Sequence, residues 1–243
     1  MDKTIKIFEK FDKEIKAGFS TKSYGNLSFK WSGLSVVENR EKFLNDQDLN
    51  LEDLIMVEQI HENKIVVVDN KLKGRGVRKT DWLNGAEGMV TKDASVVLGV
   101  ETADCLPVFA CAPTSGVIGV AHAGWRSVLQ GVVVNLVDGM LSLGASKEEI
   151  FIEIGPHIKS CCFEIKDDVL SQFDDYEDCV EKQMFGSVVN LAKIVLDQLT
   201  EVGLMAQNIK CSDLCTCCNH NFYSFRRDKS ECNGSMLGVI SLN

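Results

Sequence analysis

The chain has 243 residues, enough for one large domain with a sizeable core. It is 45% hydrophobic and 25% charged, the balance of an ordinary globular protein. The net charge of -9, with no Lys/Arg cluster, argues against a nucleic-acid partner or an anionic membrane surface, and no apolar run reaches the roughly 18 residues that a bilayer crossing needs.

Residues 1–30 read as short strands and turns, and Val36 to Leu44 as a short helix. Ile65-Val66-Val67-Val68 is a buried-strand signal, as are the β-branched runs Val96 to Val100, Pro107 to Ala112 and Val117 to Ala121. Trp125 to Leu143 is predicted as one helix, with apolar residues at helical spacing and Gly144 as its cap. Ser146 and Glu149 have capping-box spacing, which predicts a short helical turn. Phe151 to Ile154 reads as a strand, Val188 to Val202 as a second amphipathic helix, and further strands follow to the C-terminus.

With three prolines and no repeat or Ser/Pro-rich linker, the expected organisation is a single domain over residues 1–243. Many strands with two long helices predict an α+β or mixed α/β fold with at least one mixed sheet. Met1-Asp2-Lys3-Thr4 leads into mixed charge and not into a signal-peptide core, so the 10 cysteines read as reduced thiols of a cytoplasmic protein.

Three separated motifs supply a histidine, a cysteine and a histidine: Gln59-Ile60-His61, Ala103-Asp104-Cys105 and His122-Ala123-Gly124-Trp125-Arg126. Each sits at a strand end, where a rigid scaffold can hold a side chain and leave it accessible. Imidazole, thiolate and imidazole is the ligand set of a catalytic zinc site with its fourth position open. The same atoms allow a second chemistry, with Cys105 as nucleophile, His122 or His61 as base and Asp104 as orienter. The plain alternative is that each is an ordinary buried or surface residue.

No H-x-E followed by P-C-x-x-C is present, so the usual zinc-deaminase signature is absent, and no P-loop or G-x-G-x-x-G is visible. Cys211, Cys215, Cys217 and Cys218 are dense, but no clean second pair follows them, so they read as idle thiols, and Cys161-Cys162 as structural. Phe222 to Asp228 places Arg226 and Arg227 beside aromatics and an aspartate. That is either an anion grip or an exposed strand end with an Arg–Asp pair that contributes little.

Five segments occur together in one known family: Gln59-x-His61, Thr102 to Val108 (TADCLPV), His122 to Arg126 (HAGWR), Ile154-Gly155-Pro156 and Ser224-x-Arg226-Arg227-Asp228. The chain resembles the YfiH-like family, formerly called polyphenol oxidoreductase or laccase-domain proteins and related to the mammalian purine-metabolising enzyme FAMIN. The resemblance runs from about Phe19 to the C-terminus. It implies a four-layer α/β/β/α sandwich with mixed β-sheets and zinc held by His61, Cys105 and His122. It implies phosphorolysis of adenosine, inosine, guanosine and methylthioadenosine, and deamination of adenosine. The partners expected are a small-molecule nucleoside and phosphate, on a monomer. Cys105, Asp104, Glu87 and Arg126 are the expected catalytic residues, with Asp104 or Glu87 moving protons. Lys22, Arg226 and Arg227 are the expected phosphate contacts. One branch of such proteins edits peptidoglycan precursors, which would make Cys105 an amidase nucleophile. Copper oxidation of phenols ranks below both, because the many histidines of a multicopper centre are missing. The chain departs from the family pattern at Glu87, Ser127 and Ser235, and in Thr21-Lys22-Ser23-Tyr24-Gly25 with the shortened loop after it.

Overall fold

Side chains alternate faces along a strand, and the central strands of this chain are apolar on both faces. A computed structural model describes residues 3–31, 35–78, 81–83, 85–184 and 186–243; residues 32–34 of the shortened loop lie outside them. A five-stranded sheet runs in the order β1 (Thr4–Lys6), β2 (Ile15–Ser20), β14 (Met236–Leu242), β6 (Val97–Thr102) and β3 (Leu54–Met56). A six-stranded sheet runs β13 (Ile209–Cys211), β9 (Phe151–Ile154), β7 (Leu106–Ala112), β8 (Val117–Ala123), β5 (Gly88–Thr91) and β4 (Ile65–Val67). Both are mixed: β3 with β6, β13 with β9 and β4 with β5 are parallel pairs, and the remaining neighbours are antiparallel. A small sheet of β10 (Glu164–Ile165), β12 (Gly186–Val189) and β11 (Val180–Gln183) completes the β structure described.

The two large sheets face each other. Phe19, Leu98 and Ile240 from one meet Phe109, Ile118 and Val120 from the other. The alternate residues of the same strands point outward. Val97, Leu237 and Val239 pack with Phe43 and Leu44 of α1 (Val36–Asn45). Val108, Ala110 and Ala121 pack under Leu136 and Met140 of α3 (Val132–Ser142) and join Ile194 and Val195 of α5 (Leu191–Glu201) in one cluster. The order is therefore α/β/β/α, with three apolar seams, and each fully buried Leu, Val or Phe contributes about 1.5–3 kcal/mol. Among the described residues no helix is long and apolar enough to cross a membrane.

Local chemistry changed four expected elements. The helix expected over Trp125 to Leu143 is two, α2 (Trp125–Leu129) and α3, because Gly131 between them takes φ 77°, a left-handed conformation that breaks the hydrogen-bond ladder. The helix expected from Val188 begins at Leu191. Val188 and Val189 belong to β12, and Asn190 caps the helix by accepting the Lys193 N–H at 3.1 Å. The Ser146–Glu149 box half-forms: Glu149 accepts the Ser146 N–H at 2.9 Å, but only a turn follows. The end expected as strand at Phe222–Asp228 instead carries α6 (Phe225–Asp228), capped by the Ser224 hydroxyl on the Arg227 N–H. A further one-turn helix, α4 (Asp167–Leu170), follows β10.

For the site, the decisive connection is that between β6 and β7. These strands lie in different sheets, so the turn Ala103-Asp104-Cys105 carries the chain across from one to the other. Asp104 adopts φ 98° in that turn, a conformation rare outside glycine.

Candidate metal centre and its cavity

His122 is the penultimate residue of β8 and is buried. Its Nδ1 lies 2.6 Å from Glu87 Oε2, just before β5 on the neighbouring strand, and its backbone N–H donates to the Glu87 carbonyl at 2.7 Å. That contact orients the ring and leaves Nε2 as the free nitrogen. The other Glu87 oxygen, Oε1, accepts the backbone N–H groups of Ile60 at 2.6 Å, of Glu62 at 3.2 Å and of His61. One buried carboxylate therefore fixes both histidines. Gln59 holds the start of the same loop, with its amide on the backbone N–H and carbonyl of Glu101 in β6 at 2.8 and 2.7 Å. His61 takes φ 63°, a conformation maintained by the three hydrogen bonds to Glu87.

Donor atoms of His61, Cys105 and His122 all lie within 4.8 Å of one another. Cys105 Sγ is 4.0 Å from His61 Nε2, and the imidazole rings stand edge to face at 4.9 Å between centroids. Gly124 makes room for them. A Cβ there would sit 2.7 Å from His61 Cδ2 and 3.3 Å from Cys105 Sγ.

Burial alone would push the Cys105 thiol up, but His122 and His61 outweigh it and bring it down to about 6. Burial would push His122 down, but Cys105 and then Glu87 outweigh that and raise it to about 9. Glu87, opposed by its own burial, is held below the usual carboxylate range by His122 and by the Ile60 and Glu62 N–H groups. A thiolate between two imidazoles, one oriented by a carboxylate, fits a soft divalent ion with three protein ligands and a fourth position free.

The cluster opens onto a cavity of about 430 Å³, within the range of small-molecule sites. His61, Asp104 and Cys105 line one part of it. Trp125, Phe163 and Phe225 supply aromatic faces, and Arg126, Arg226 and Lys229 supply cations. Arg126 is exposed and lies over the Trp125 ring at 4.2 Å.

The other expected site residues divide. Arg226 lines the cavity, with Nη1 on the carbonyls of Glu164 at 2.6 Å and Cys162 at 3.3 Å. Arg227 does not line it. Its guanidinium is taken up by both Asp228 oxygens at 2.7 Å and by the carbonyls of Thr216, Cys217 and Phe222. Lys22 also lies off the cavity lining, with Nζ 5.0 Å from the Tyr223 ring centroid. Asp104 accepts from Thr216 Oγ1 at 2.7 Å, Ser224 Oγ at 3.0 Å and the Arg226 N–H at 2.6 Å. The carboxylate that orients the histidine beside Cys105 is thus Glu87, not Asp104. Sequence reasoning missed Lys229, Phe163 and Phe225; the signal for Lys229 and Phe225 was their place flanking Arg226-Arg227-Asp228.

Residues 14–243 match the family described as multi-copper polyphenol oxidoreductase laccase. The chain is 31% identical to a purine nucleoside phosphorylase of Staphylococcus epidermidis, over 93% of this chain and 91% of that protein. It is 29% identical to an adenosine deaminase from an unknown prokaryotic organism, over 80% of this chain and 77% of that one. The crystal structure of the hypothetical protein YfiH of Bacillus licheniformis superposes with a TM-score of 0.93 at 27% identity, covering 100% of this chain and 97% of that one.

Proposed function

The chain belongs to the multi-copper polyphenol oxidoreductase laccase family, and from that premise we propose that it is a zinc-dependent purine nucleoside enzyme. The reaction would be phosphorolysis of adenosine, inosine, guanosine or methylthioadenosine, with deamination of adenosine as its companion activity. The observation that carries the reading is the His61–Cys105–His122 cluster at a cavity that pairs aromatic faces with three cations. Relatives named as a purine nucleoside phosphorylase and as an adenosine deaminase support the substrate class.

His61, Cys105 and His122 would hold the zinc, which when bound supplies Lewis-acid polarisation at its open position. The chain's own residues do the rest. Trp125, Phe163 and Phe225 offer faces for a purine ring, a contact worth about 1–3 kcal/mol per base. Arg126, Arg226 and Lys229 carry the charge to hold phosphate beside the ribose. Glu87 positions both histidines. Asp104 ties the Cys105 turn to the start of α6 and so aims Arg226. Both oxygens of each carboxylate accept hydrogen bonds, which favours positioning over proton transfer. The multi-copper centre named in the family's description is the weaker reading, since His61, Cys105 and His122 converge as the donors of one ion and not of several.

The test is to incubate metal-quantified protein with adenosine, with and without phosphate, and to identify products by mass spectrometry. Adenine formed only with phosphate marks a phosphorylase, and inosine in both reactions marks a deaminase. Neither product from zinc-loaded protein would overturn the reading. One observation favours a second reading, amide hydrolysis on a cell-wall precursor. Cys105, His122 and Glu87 form a nucleophile–base–orienter line. An acyl adduct on Cys105, seen as a mass increase on that residue, would be its signature.

A further inference from the structure

Away from the His61–Cys105–His122 cluster, four cysteines converge that neither the family description nor the relatives' names account for. Cys161 and Cys162 occupy the turn before β10, and Cys215 and Cys218 occupy the loop after β13. Their four sulfurs all lie within 4.8 Å of one another, and all four thiols are free. The partner pair missing from the sequence around Cys215 and Cys218 is Cys161-Cys162, more than fifty residues upstream.

From this geometry we infer a second, structural metal site, in which Cys161, Cys162, Cys215 and Cys218 bind one zinc ion as a tetrathiolate.

Three observations carry it. The first is spacing. A tetrahedron with zinc–sulfur bonds of about 2.3 Å has sulfur–sulfur edges of about 3.8 Å. Four of the edges measure 3.8 Å (Cys161–Cys162), 3.8 Å (Cys161–Cys215), 3.7 Å (Cys161–Cys218) and 3.3 Å (Cys162–Cys218). Each is far beyond the sulfur–sulfur bond of about 2.05 Å in a disulfide. The second is local backbone. Cys215-Thr216-Cys217-Cys218 has the C-x-x-C spacing of zinc knuckles. The Lys159 N–H points at Cys215 Sγ from 3.5 Å, and the N–H groups of Cys217 and Cys218 face the same sulfur. Such donors stabilise a thiolate. The third is completeness: four thiolates fill the coordination shell, which marks a structural ion and not a catalytic one. Exposure of Cys161 and Cys218 gives the ion a way in. On binding, each thiol passes its proton to solvent, and no oxidant or reductant is involved.

The ion would clip together two loops that build the cavity. Ile158 and Phe163, on either side of the first pair, line it. Thr216, inside the second pair, holds Asp104, and Arg226 and Arg227 grip the carbonyls of Cys162, Thr216 and Cys217.

The test uses the full chain purified under reducing conditions, with zinc as the probe. In a His61→Ala/His122→Ala variant, whose own metal centre is dismantled, about one zinc ion per chain is expected to remain, with an all-sulfur shell by zinc-edge X-ray absorption. Adding Cys162→Ser/Cys218→Ser to that variant is expected to reduce the zinc to near zero. A folded His61→Ala/His122→Ala variant that retains no zinc, or one whose zinc has nitrogen neighbours, would overturn the site. A disulfide among the four cysteines in freshly reduced protein would overturn it as well. If Cys162→Ser/Cys218→Ser abolishes folding, the sulfur count on the His61→Ala/His122→Ala protein alone decides. That protein lacks the other centre, so the outcome is independent of whether the chain processes nucleosides.

Discussion

Replacing Glu87 by Gln changes almost no volume and tests how the metal centre is assembled. In the native chain Oε1 accepts three backbone N–H groups from the His61 loop, and Oε2 meets His122 Nδ1 at 2.6 Å. A Gln must place its amide oxygen toward one of these and its NH₂ toward the other. With the oxygen on the loop, the NH₂ confronts His122 Nδ1, and two donors cannot share that contact. The imidazole then shifts its proton to Nε2, the nitrogen needed for the metal. With the amide reversed, up to three N–H groups lose their acceptor, at about 1–3 kcal/mol for each buried one. Loss of such an outer contact lowers metal affinity about 10–100-fold, or about 1.4–2.8 kcal/mol. Zinc affinity measured by chelator competition is expected to fall by that factor, with Glu87→Asp recovering part of it because the charge returns. A Glu87→Gln protein that is folded and binds zinc as tightly as the native chain would refute the assignment of Glu87 as the group that sets the His122 tautomer.

Gly124→Ala is expected to cost about 1–3 kcal/mol of stability from overpacking and to weaken zinc binding, because its Cβ would press on His61 and Cys105; isothermal titration with zinc checks this. In metal-free protein the Cys105 thiolate forms as pH rises through about 6, against 9.0 for an ordinary cysteine. Iodoacetamide labelling of Cys105 should therefore be half-maximal near that lower pH and be suppressed by zinc; labelling that rises only with the bulk thiols would contradict the pairing with His122. Phe225 is 55% exposed yet lines the cavity, so Phe225→Ala should leave thermal stability nearly unchanged. The same change should raise the nucleoside KM by about 5–150-fold, the equivalent of about 1–3 kcal/mol of lost stacking, and an unchanged KM would remove Phe225 from the site.

Elements and ligands were legible where the information is local. Continuous apolar runs marked β6, β7 and β8, because a strand covered on both faces carries apolar side chains on both. His61, Cys105 and His122 stood out because few residue types bind a soft ion. The α2–α3 break was also local, but the apolar periodicity continues on both sides of Gly131 and masks a single left-handed residue.

By itself the sequence determined which segments could be strands or helices and which three side chains could share an ion. Only the tertiary structure decided what each charged group is for. Glu87 and His122 are 35 residues apart and Asp104 and Arg226 are 122 apart, yet each pair touches. Arg226 and Arg227 are adjacent, and one faces the cavity while the other is consumed by Asp228 and three carbonyls. Cys161-Cys162 and Cys215-Cys218 each lack a partner in sequence and meet as the two loops fold together. The physical reason is common to all of these. Periodicity and composition act over one turn or one strand, whereas hydrogen-bond partners and metal shells are completed by chain segments that sheet pairing and layer packing bring together.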